Sequence, residues 1–310
     1  MLQATPEAVF DWYAATIDDT ALKVETRLAA LLGAFPKRAR GLHGYPNGTD
    51  FLRDGNVIAK MIWGGQQSPH AWASGSDARQ FADVVRTEWP RHYVTRVDVA
   101  YDFVDGDTWA QLYAHCVEVA DTLPSGEPRR RPLKLATLGD WVREDEGFPG
   151  GRTLYVGSMK SPVLCRLYEK GKQMRSLHPD QLDKYPLGWV RLELQVRPEG
   201  ASRYEVATLE PSAVWGTSAW ARALHDSVFG SDLSAVLMAV HRLPDDERAM
   251  RFLLRQYGPL LRRRAALLTA DDTAAGRLGS WSELGVQLGL SLGAIEETFS
   301  TDFFRTNPST

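Results

Sequence analysis

A tyrosine stands between an arginine and a lysine in the segment "LCRLYEKGKQ", residues 164–173. Alternate residues of a strand share one face, so we expect Arg166, Tyr168 and Lys170 to lie on the same side of a strand. A neighbouring cation or metal ion lowers the pKa of a phenol from about 10. Tyr168 is therefore a candidate nucleophile for attack on phosphorus, with Arg166 and Lys170 offsetting charge on the phosphate oxygens.

Two further segments, "TRVDVAYDF" and "WVRLELQVR", also predict strands with one ionisable face. Their ionisable residues of interest are Arg96, Asp98, Asp102, Arg191, Glu193 and Arg197. Carboxylates are hard ligands that suit Mg²⁺ or Mn²⁺, so Asp98, Asp102 and Glu193 could hold one ion that polarises a phosphoryl oxygen. This hypothesis requires the three strands to be neighbours. The alternative is three ordinary solvated sheet surfaces with cross-strand ion pairs.

In this order and spacing, "RVDVAYDF", "TLYVGSMKSPVLCRLYEKGKQ" and "WVRLELQVR" resemble the replication initiation factor family. These are the Rep_trans-type rolling-circle initiators of plasmids and filamentous phages, which are relatives of the HUH endonucleases. The resemblance covers roughly residues 40 to 230 and is carried by the combination of the three blocks. The resemblance implies acidic residues in place of the paired metal-binding histidines of HUH endonucleases, and no His-hydrophobic-His triplet occurs in the chain.

The resemblance implies an α+β fold with a central antiparallel sheet backed by helices. It implies a nickase that uses Tyr168 to cut one origin strand, keeping a 5′-phosphotyrosine and leaving a 3′-hydroxyl primer. Asp98 and Glu193 would be ligands of Mg²⁺ or Mn²⁺, and Asp102 would either ligate or orient. The implied partners are origin DNA, as a single strand or an extruded hairpin, and a host helicase and polymerase. No membrane partner is expected, and a homodimer is left open.

Several residues around these blocks are predicted to contact DNA: Arg96, Arg191, Lys172, Arg197, Tyr155 and Ser158. Tyr155 is also the rival phenol, but Thr153 and Gly157 beside it carry no charge to activate it. Trp63, Trp72 and Trp189 could stack on unpaired bases, although large rings in strands are more often core residues.

Composition restricts the function classes. The 310 residues carry a formal charge of −3, which argues against a protein that coats nucleic acid with its whole surface. Residues 129–203 nevertheless hold fifteen Lys and Arg against nine Asp and Glu, so the middle of the chain could face polyphosphate. Cys116 and Cys165 are too few for a disulfide framework. No segment resembles a signal peptide or a membrane span, which predicts a cytoplasmic protein.

Strands are predicted at 7–17, 93–105, 152–158, 162–170 and 189–197, hairpins between 40 and 74, and helices at 20–36, 76–89 and 108–123. No internal repeat is visible. A change from strand to helix predicts a catalytic domain at 1–229 and a helical region at 230–310 that contacts DNA or a second subunit. Residues 280–297 could form a helix-turn-helix or simply two packed helices. The basic run Arg262–Arg264 is either a solvated helix face or a backbone contact.

Two alternative functions remain open from the sequence. A conjugative relaxase would use the same chemistry at a transfer origin. A catalytically silent DNA-binding copy-control regulator would keep the fold without cleavage, but such a protein has no need for the complete set of Asp98, Arg166, Tyr168, Lys170 and Glu193.

Overall fold

The computed structural model describes residues 6–65, 67–104, 108–123, 125–141 and 150–236, together with Tyr257, Leu260 and Arg263. The chain forms two compact units, Met1–Val240 and His241–Thr310. The three described residues of the second unit are helical and exposed. The predicted helix-turn-helix at 280–297 lies outside the described residues, and the predicted boundary after residue 229 stays a prediction.

The first unit alternates strands and helices along the described chain. The strands are β1 (Val9–Thr16), β2 (Phe35–Arg40), β3 (Asn47–Arg53), β4 (Asn56–Gly64), β5 (Gln67–Ser74), β6 (Tyr93–Phe103), β7 (Leu135–Gly139), β8 (Arg152–Val156), β9 (Val163–Tyr168) and β10 (Val190–Val196). The helices are α1 (Ala21–Leu32), α2 (Asp77–Glu88), α3 (Thr108–Asp121), α4 (Lys170–Leu177), α5 (Ser202–Ala207) and α6 (Ala219–Phe229), with 3-10 turns at Leu182–Lys184 and Ser212–Thr217.

The described strands form one antiparallel sheet in the order β2-β3-β4-β5-β1-β6-β10-β9-β8-β7. Helices pack on one face, where Tyr13, Val99 and Leu192 share a buried core with Phe81 of α2 and Leu112 of α3. Full burial of one such side chain contributes about 1.5–3 kcal/mol. We call this the helical face and the opposite one the polar face. The predicted α+β class, a central antiparallel sheet backed by helices, is confirmed.

Strand periodicity decides which residues reach the polar face. In β6, Val97, Val99 and Tyr101 belong to the buried core, so the residues between them point the other way. Asp54 and Gly55 join β3 to β4 with φ angles of 52° and 80°, which is the left-handed conformation that a two-residue hairpin turn requires. None of the described helices is long and apolar enough to cross a bilayer.

Three described elements differ from the sequence prediction. Gly33 closes α1 with a left-handed φ of 61°, and the chain then enters the edge strand β2, where Pro36 is tolerated. Strand β7 was not predicted. The predicted strand at 162–170 ends at Tyr168, and Lys170 begins α4 instead. The amide of Gly171 bonds the carbonyl of Trp189, which turns the backbone away from the sheet.

The sheet is duplicated about its centre, although the sequence shows no repeat. Among the described elements, the first half runs β1-α1-β2-β3-β4-β5-α2 and the second runs β6-α3-β7-β8-β9-α4-β10-α5. The second half adds α4 and the 3-10 turn Leu182–Lys184. Strands β1 and β6 pair at the centre, and the strand order outward from them is the same on both sides. Strands β1, β5 and β4 therefore correspond to β6, β10 and β9.

Candidate active site

The three strands that carry the sequence blocks are neighbours, in the order β6-β10-β9. Arg191 lies directly opposite both Asp102 and Tyr168, and Glu193 lies directly opposite Arg166. Directly opposite residues point to the same face of a sheet. The prediction that the ionisable faces form one surface is therefore confirmed.

Arg166 joins two buried carboxylates. Its Nη2 donates to Asp98 Oδ2 at 2.9 Å and also to Glu193 Oε1, and both acids are 1% exposed. Arg96 donates to the same Asp98 from Nε at 2.9 Å and from its own Nη2 at 2.5 Å. Two guanidinium groups thus neutralise two carboxylates that burial alone would strongly disfavour.

Tyr168 is hydrogen-bonded to the same cluster. Its hydroxyl donates to Glu193 Oε2 at 2.9 Å. Burial, with the negative charge of Glu193, raises the pKa of Tyr168, so the phenol is protonated at neutral pH and requires a base. Burial also raises the pKa of Glu193 to about 7, although Arg166 opposes this shift. Glu193 is therefore a base with a pKa close to neutral pH, in direct contact with the phenol.

Lys170 reaches the site from the first turn of α4 rather than from the strand. Its ammonium lies 5.7 Å from the centre of the Tyr168 ring and donates to Gln173 Oε1 at 3.1 Å. Burial, followed by the charge of Arg191, lowers the pKa of Lys170. The Arg-x-Tyr-x-Lys segment thus brings a guanidinium and an ammonium to one phenol, as the sequence predicts, but through a strand end and a helix start.

A second ion-pair cluster lies one residue row away. Arg191 donates from Nε and Nη2 to the two oxygens of Asp102, at 2.7 Å each, and from Nη1 to Asp11. The indole of Trp189 donates to Asp102 Oδ1 at 2.6 Å. Asp102 is thereby held by Arg191 and Trp189, separately from the Asp98 and Glu193 pair.

The remaining predicted DNA-contact residues are spread around the site. Tyr155 on β8 lies directly opposite Arg166, so it does have a charged neighbour, across the sheet rather than along the strand. Ser158 is exposed in the turn after β8, and Arg197 is exposed just beyond β10. Lys172 is buried on α4, with Nζ at 3.2 Å from Glu169 Oε1. Their contacts with DNA stay predictions.

Sequence reasoning missed Asp11 and Trp12 and did not select Gln195. Asp11 pairs with Arg191, the Trp12 ring lies 4.3 Å from the Arg96 guanidinium carbon, and Gln195 Nε2 is 3.5 Å from Asp98 Oδ1. Gln195 follows the alternation that selected Glu193, which was a usable signal. Asp11 and Trp12 belong to β1, and nothing local shows that β1 pairs with β6.

The acids predicted to bind a metal ion do not form a three-ligand group. Among the residues that the structure describes, no group of three or more His, Cys, Asp or Glu side chains is placed to hold a metal ion. Asp98 and Glu193 meet at Arg166 Nη2, whereas Asp102 is engaged by Arg191. Asp98 and Glu193 are hard oxygen donors of the kind that suits Mg²⁺ or Mn²⁺, although their converging oxygens are both hydrogen-bonded to Arg166 Nη2.

Comparison with known proteins finds one family model and one solved structure to which the chain is similar. Residues 92–213 match the family model described as Rep_trans, replication initiation factor. A solved rolling circle replication initiator protein from Geobacillus stearothermophilus is similar at 20% sequence identity and a TM-score of 0.48, over 75% of this chain and 98% of that one. None of the curated proteins compared with the chain matches it. The matched span contains both ion-pair clusters except Asp11, and the resemblance of this chain to the replication initiation factor family is confirmed over residues 92–213.

Proposed function

We propose that the protein is a rolling-circle replication initiator that nicks one strand of its origin through Tyr168. The observation that supports this most directly is the 2.9 Å hydrogen bond from the Tyr168 hydroxyl to Glu193 Oε2. A nucleophile and its general base must lie within hydrogen-bond reach. The family match over residues 92–213 supports the biological role, and the hydrogen bond supports the chemistry.

In the proposed step, Glu193 accepts the phenolic proton as Tyr168 Oη attacks the phosphorus of the origin strand. The new bond joins phosphorus to Tyr168, and the bond from phosphorus to the 3′ oxygen breaks. The leaving oxygen takes up a proton and becomes the 3′-hydroxyl that primes synthesis. The 5′ phosphate stays on Tyr168 as a phosphotyrosine, which keeps the phosphodiester energy for rejoining.

Arg166 and Lys170 have the electrostatic role in this proposal. Both lie at the phenol, Arg166 through Glu193 and Lys170 at 5.7 Å from the ring centre. Fixed cations in a partly water-excluded site stabilise charge that develops on phosphate oxygens. Asp98 holds Arg166 and Arg96 in position and does not touch the phenol in the proposed step.

Asp98 and Glu193 are also the residues we propose to hold Mg²⁺ or Mn²⁺. Glu193 presents Oε2 to Tyr168 and Oε1 toward Arg166 and Asp98, so one oxygen can act as base while the other serves as ligand. A bound divalent ion would polarise the phosphoryl oxygen. Asp102 would position Arg191 and Trp189 in this scheme.

The proposed partners are origin DNA, as a single strand or an extruded hairpin, and then a host helicase and polymerase. The experiment incubates the protein with a single-stranded DNA library labelled at either end, with Mn²⁺, and resolves covalent adducts on a denaturing gel. We expect the DNA label on the 3′ side of the cut to migrate with the protein on the gel. Adducts that carry only the label from the opposite side would contradict a 5′-phosphotyrosine.

A further inference from the structure

The first half of the sheet repeats the strand order of the candidate active site but carries different side chains on those strands. On the polar face, β1, β5 and β4 stand where β6, β10 and β9 stand in the second half. Besides Asp11, which reaches across to Arg191, the residues that they present there are Trp12, Ala14, Thr16, His70, Trp72, Ser74, Lys60 and Ile62. This set contains no carboxylate and no tyrosine, and its one imidazole, that of His70, is hydrogen-bonded to the Thr16 hydroxyl. It retains one cation and gains aromatic rings.

One row of directly paired residues links this half to the active site. Lys37 lies opposite Asp50, and Asp50 lies opposite Lys60. The row continues through Trp72 and Ala14 to Arg96. It crosses from β2 to β6, which is about 24 Å at about 4.8 Å per strand. Arg96 then bonds Asp98 at the active site.

The row and the residues beside it combine cations with solvent-accessible aromatic rings. Lys60 keeps 45% of its side chain exposed, and its contact with Asp50 is a loose 3.6 Å. The rings of His70 and Trp72 lie 5.8 Å apart at 33°, and Trp12 lies under Arg96 at 4.3 Å. Trp12 and Trp72 are both half-buried, so each is held in place and still presents part of its surface.

We propose that this surface, defined by Lys37, Lys60, Trp72, Trp12 and Arg96, binds the single-stranded DNA that flanks the nicked phosphate. Proteins bind single strands by combining cations along the backbone with rings on which bases stack. The surface has no tyrosine, and its one carboxylate, Asp50, is paired with Lys60. We therefore expect it to bind the strand without cutting it. The inference rests on the proposed nicking function, because continuity with that site is what selects DNA as the occupant.

Single-stranded DNA fits the surface better than duplex DNA. Stacking requires unpaired bases. Trp72 lies within the row, between Lys60 and Arg96, and Trp12 lies in the next row, against Arg96. A duplex would be held by phosphate contacts alone and would make no use of Trp72.

The experiment measures binding without cleavage. Fluorescence anisotropy follows a labelled oligothymidine of about 30 nucleotides, and a duplex of the same length, in EDTA. Trp72→Ala should weaken oligothymidine binding by about 5- to 100-fold, and Trp72→Phe should restore most of it. Lys60→Ala should reduce the salt slope of log K by about 0.7. Lys23→Ala, which removes one cation from α1, is the matched control and should bind like the wild-type protein.

Thermal melting of each variant separates loss of binding from loss of folding, and Lys60→Ala, at an exposed position, keeps the test valid if Trp72→Ala unfolds. Wild-type affinity in folded Trp72→Ala and Lys60→Ala would overturn the proposal, as would a loss confined to the duplex. A different result would show that the nicking proposal is wrong. The wild-type protein would then form no covalent adduct with Mn²⁺, while the binding differences would remain.

Discussion

Arg166 lies directly opposite Glu193 on neighbouring antiparallel strands and donates a hydrogen bond to Glu193 Oε1. The same nitrogen donates to Asp98, so one guanidinium serves two carboxylates that are each 1% exposed. Removing one partner of a buried ion pair leaves an uncompensated charge and is strongly destabilising. The cluster of Asp98, Arg166 and Glu193 therefore also stabilises the sheet.

Replacing Arg166 by methionine is expected to lower the free energy of unfolding by about 3–5 kcal/mol. The control is Arg27→Met, which breaks an exposed pair with Glu88 and should cost much less. Urea unfolding measures both. Equal losses in the two variants would contradict a buried cluster held together by Arg166.

The pH dependence of nicking should follow Glu193. The pKa of this carboxyl is raised to about 7 by burial, so below that pH it is protonated and cannot accept the phenolic proton. Because a divalent ion held by Glu193 would lower this pKa, covalent capture in Mn²⁺ should rise with pH through a midpoint below about 7. Glu193→Gln should slow capture by about 100- to 10,000-fold and remove this rise. A Glu193→Gln protein with an unchanged pH profile would assign the base elsewhere.

The start of α4 should tolerate no side chain at Gly171. A Cβ atom there would collide with the carbonyl oxygen of Pro186, whereas one at Gly188 would meet nothing within 4 Å. Gly171→Ala should cost about 1–3 kcal/mol of folding free energy and weaken capture, because it displaces Lys170. Gly188→Ala should change stability by less than about 0.5 kcal/mol. Chemical denaturation distinguishes the pair, and equal stability would show that α4 does not pack as described.

Asp98 should govern binding of the divalent ion. In a Mn²⁺ titration followed by electron paramagnetic resonance, Asp98→Asn should weaken binding about tenfold or more, since even an outer-shell change costs about 10- to 100-fold. Asp50→Asn, an acid of the polar face outside the cluster, is the control and should bind Mn²⁺ normally. Chelation with EDTA should abolish capture by the wild-type protein. Unchanged Mn²⁺ binding by Asp98→Asn would exclude this carboxylate as a ligand.

Alternation along the strands was sufficient to predict most of the site. It placed Asp98, Arg166, Tyr168 and Glu193 on polar faces, and the structure brings these faces together on neighbouring strands. The alternation of polar and apolar residues is visible in the sequence because the residues between these four positions fill the core on the helical face. The blocks also predicted a resemblance to the replication initiation factor family, and residues 92–213 match the model of that family.

What the sequence could not predict depends on pairing between distant segments. Asp11 meets Arg191 only because β1 lies beside β6, and Tyr155 meets Arg166 only through the β8–β9 register. The duplication of the sheet is likewise a property of strand order. Lys170 was expected on the strand, but α4 begins there because the backbone of Gly171 bonds Trp189 across the chain.

The most direct test of the proposed nucleophile replaces Tyr168 or Tyr155, the two candidate phenols, by phenylalanine. Each variant is incubated with a labelled single-stranded library and Mn²⁺, and covalent adducts are scored on a denaturing gel. We expect Tyr168→Phe to form no adduct while Tyr155→Phe still forms one, because only Tyr168 donates to Glu193. An adduct with Tyr168→Phe, or its loss in a folded Tyr155→Phe protein alone, would contradict Tyr168 as the nucleophile.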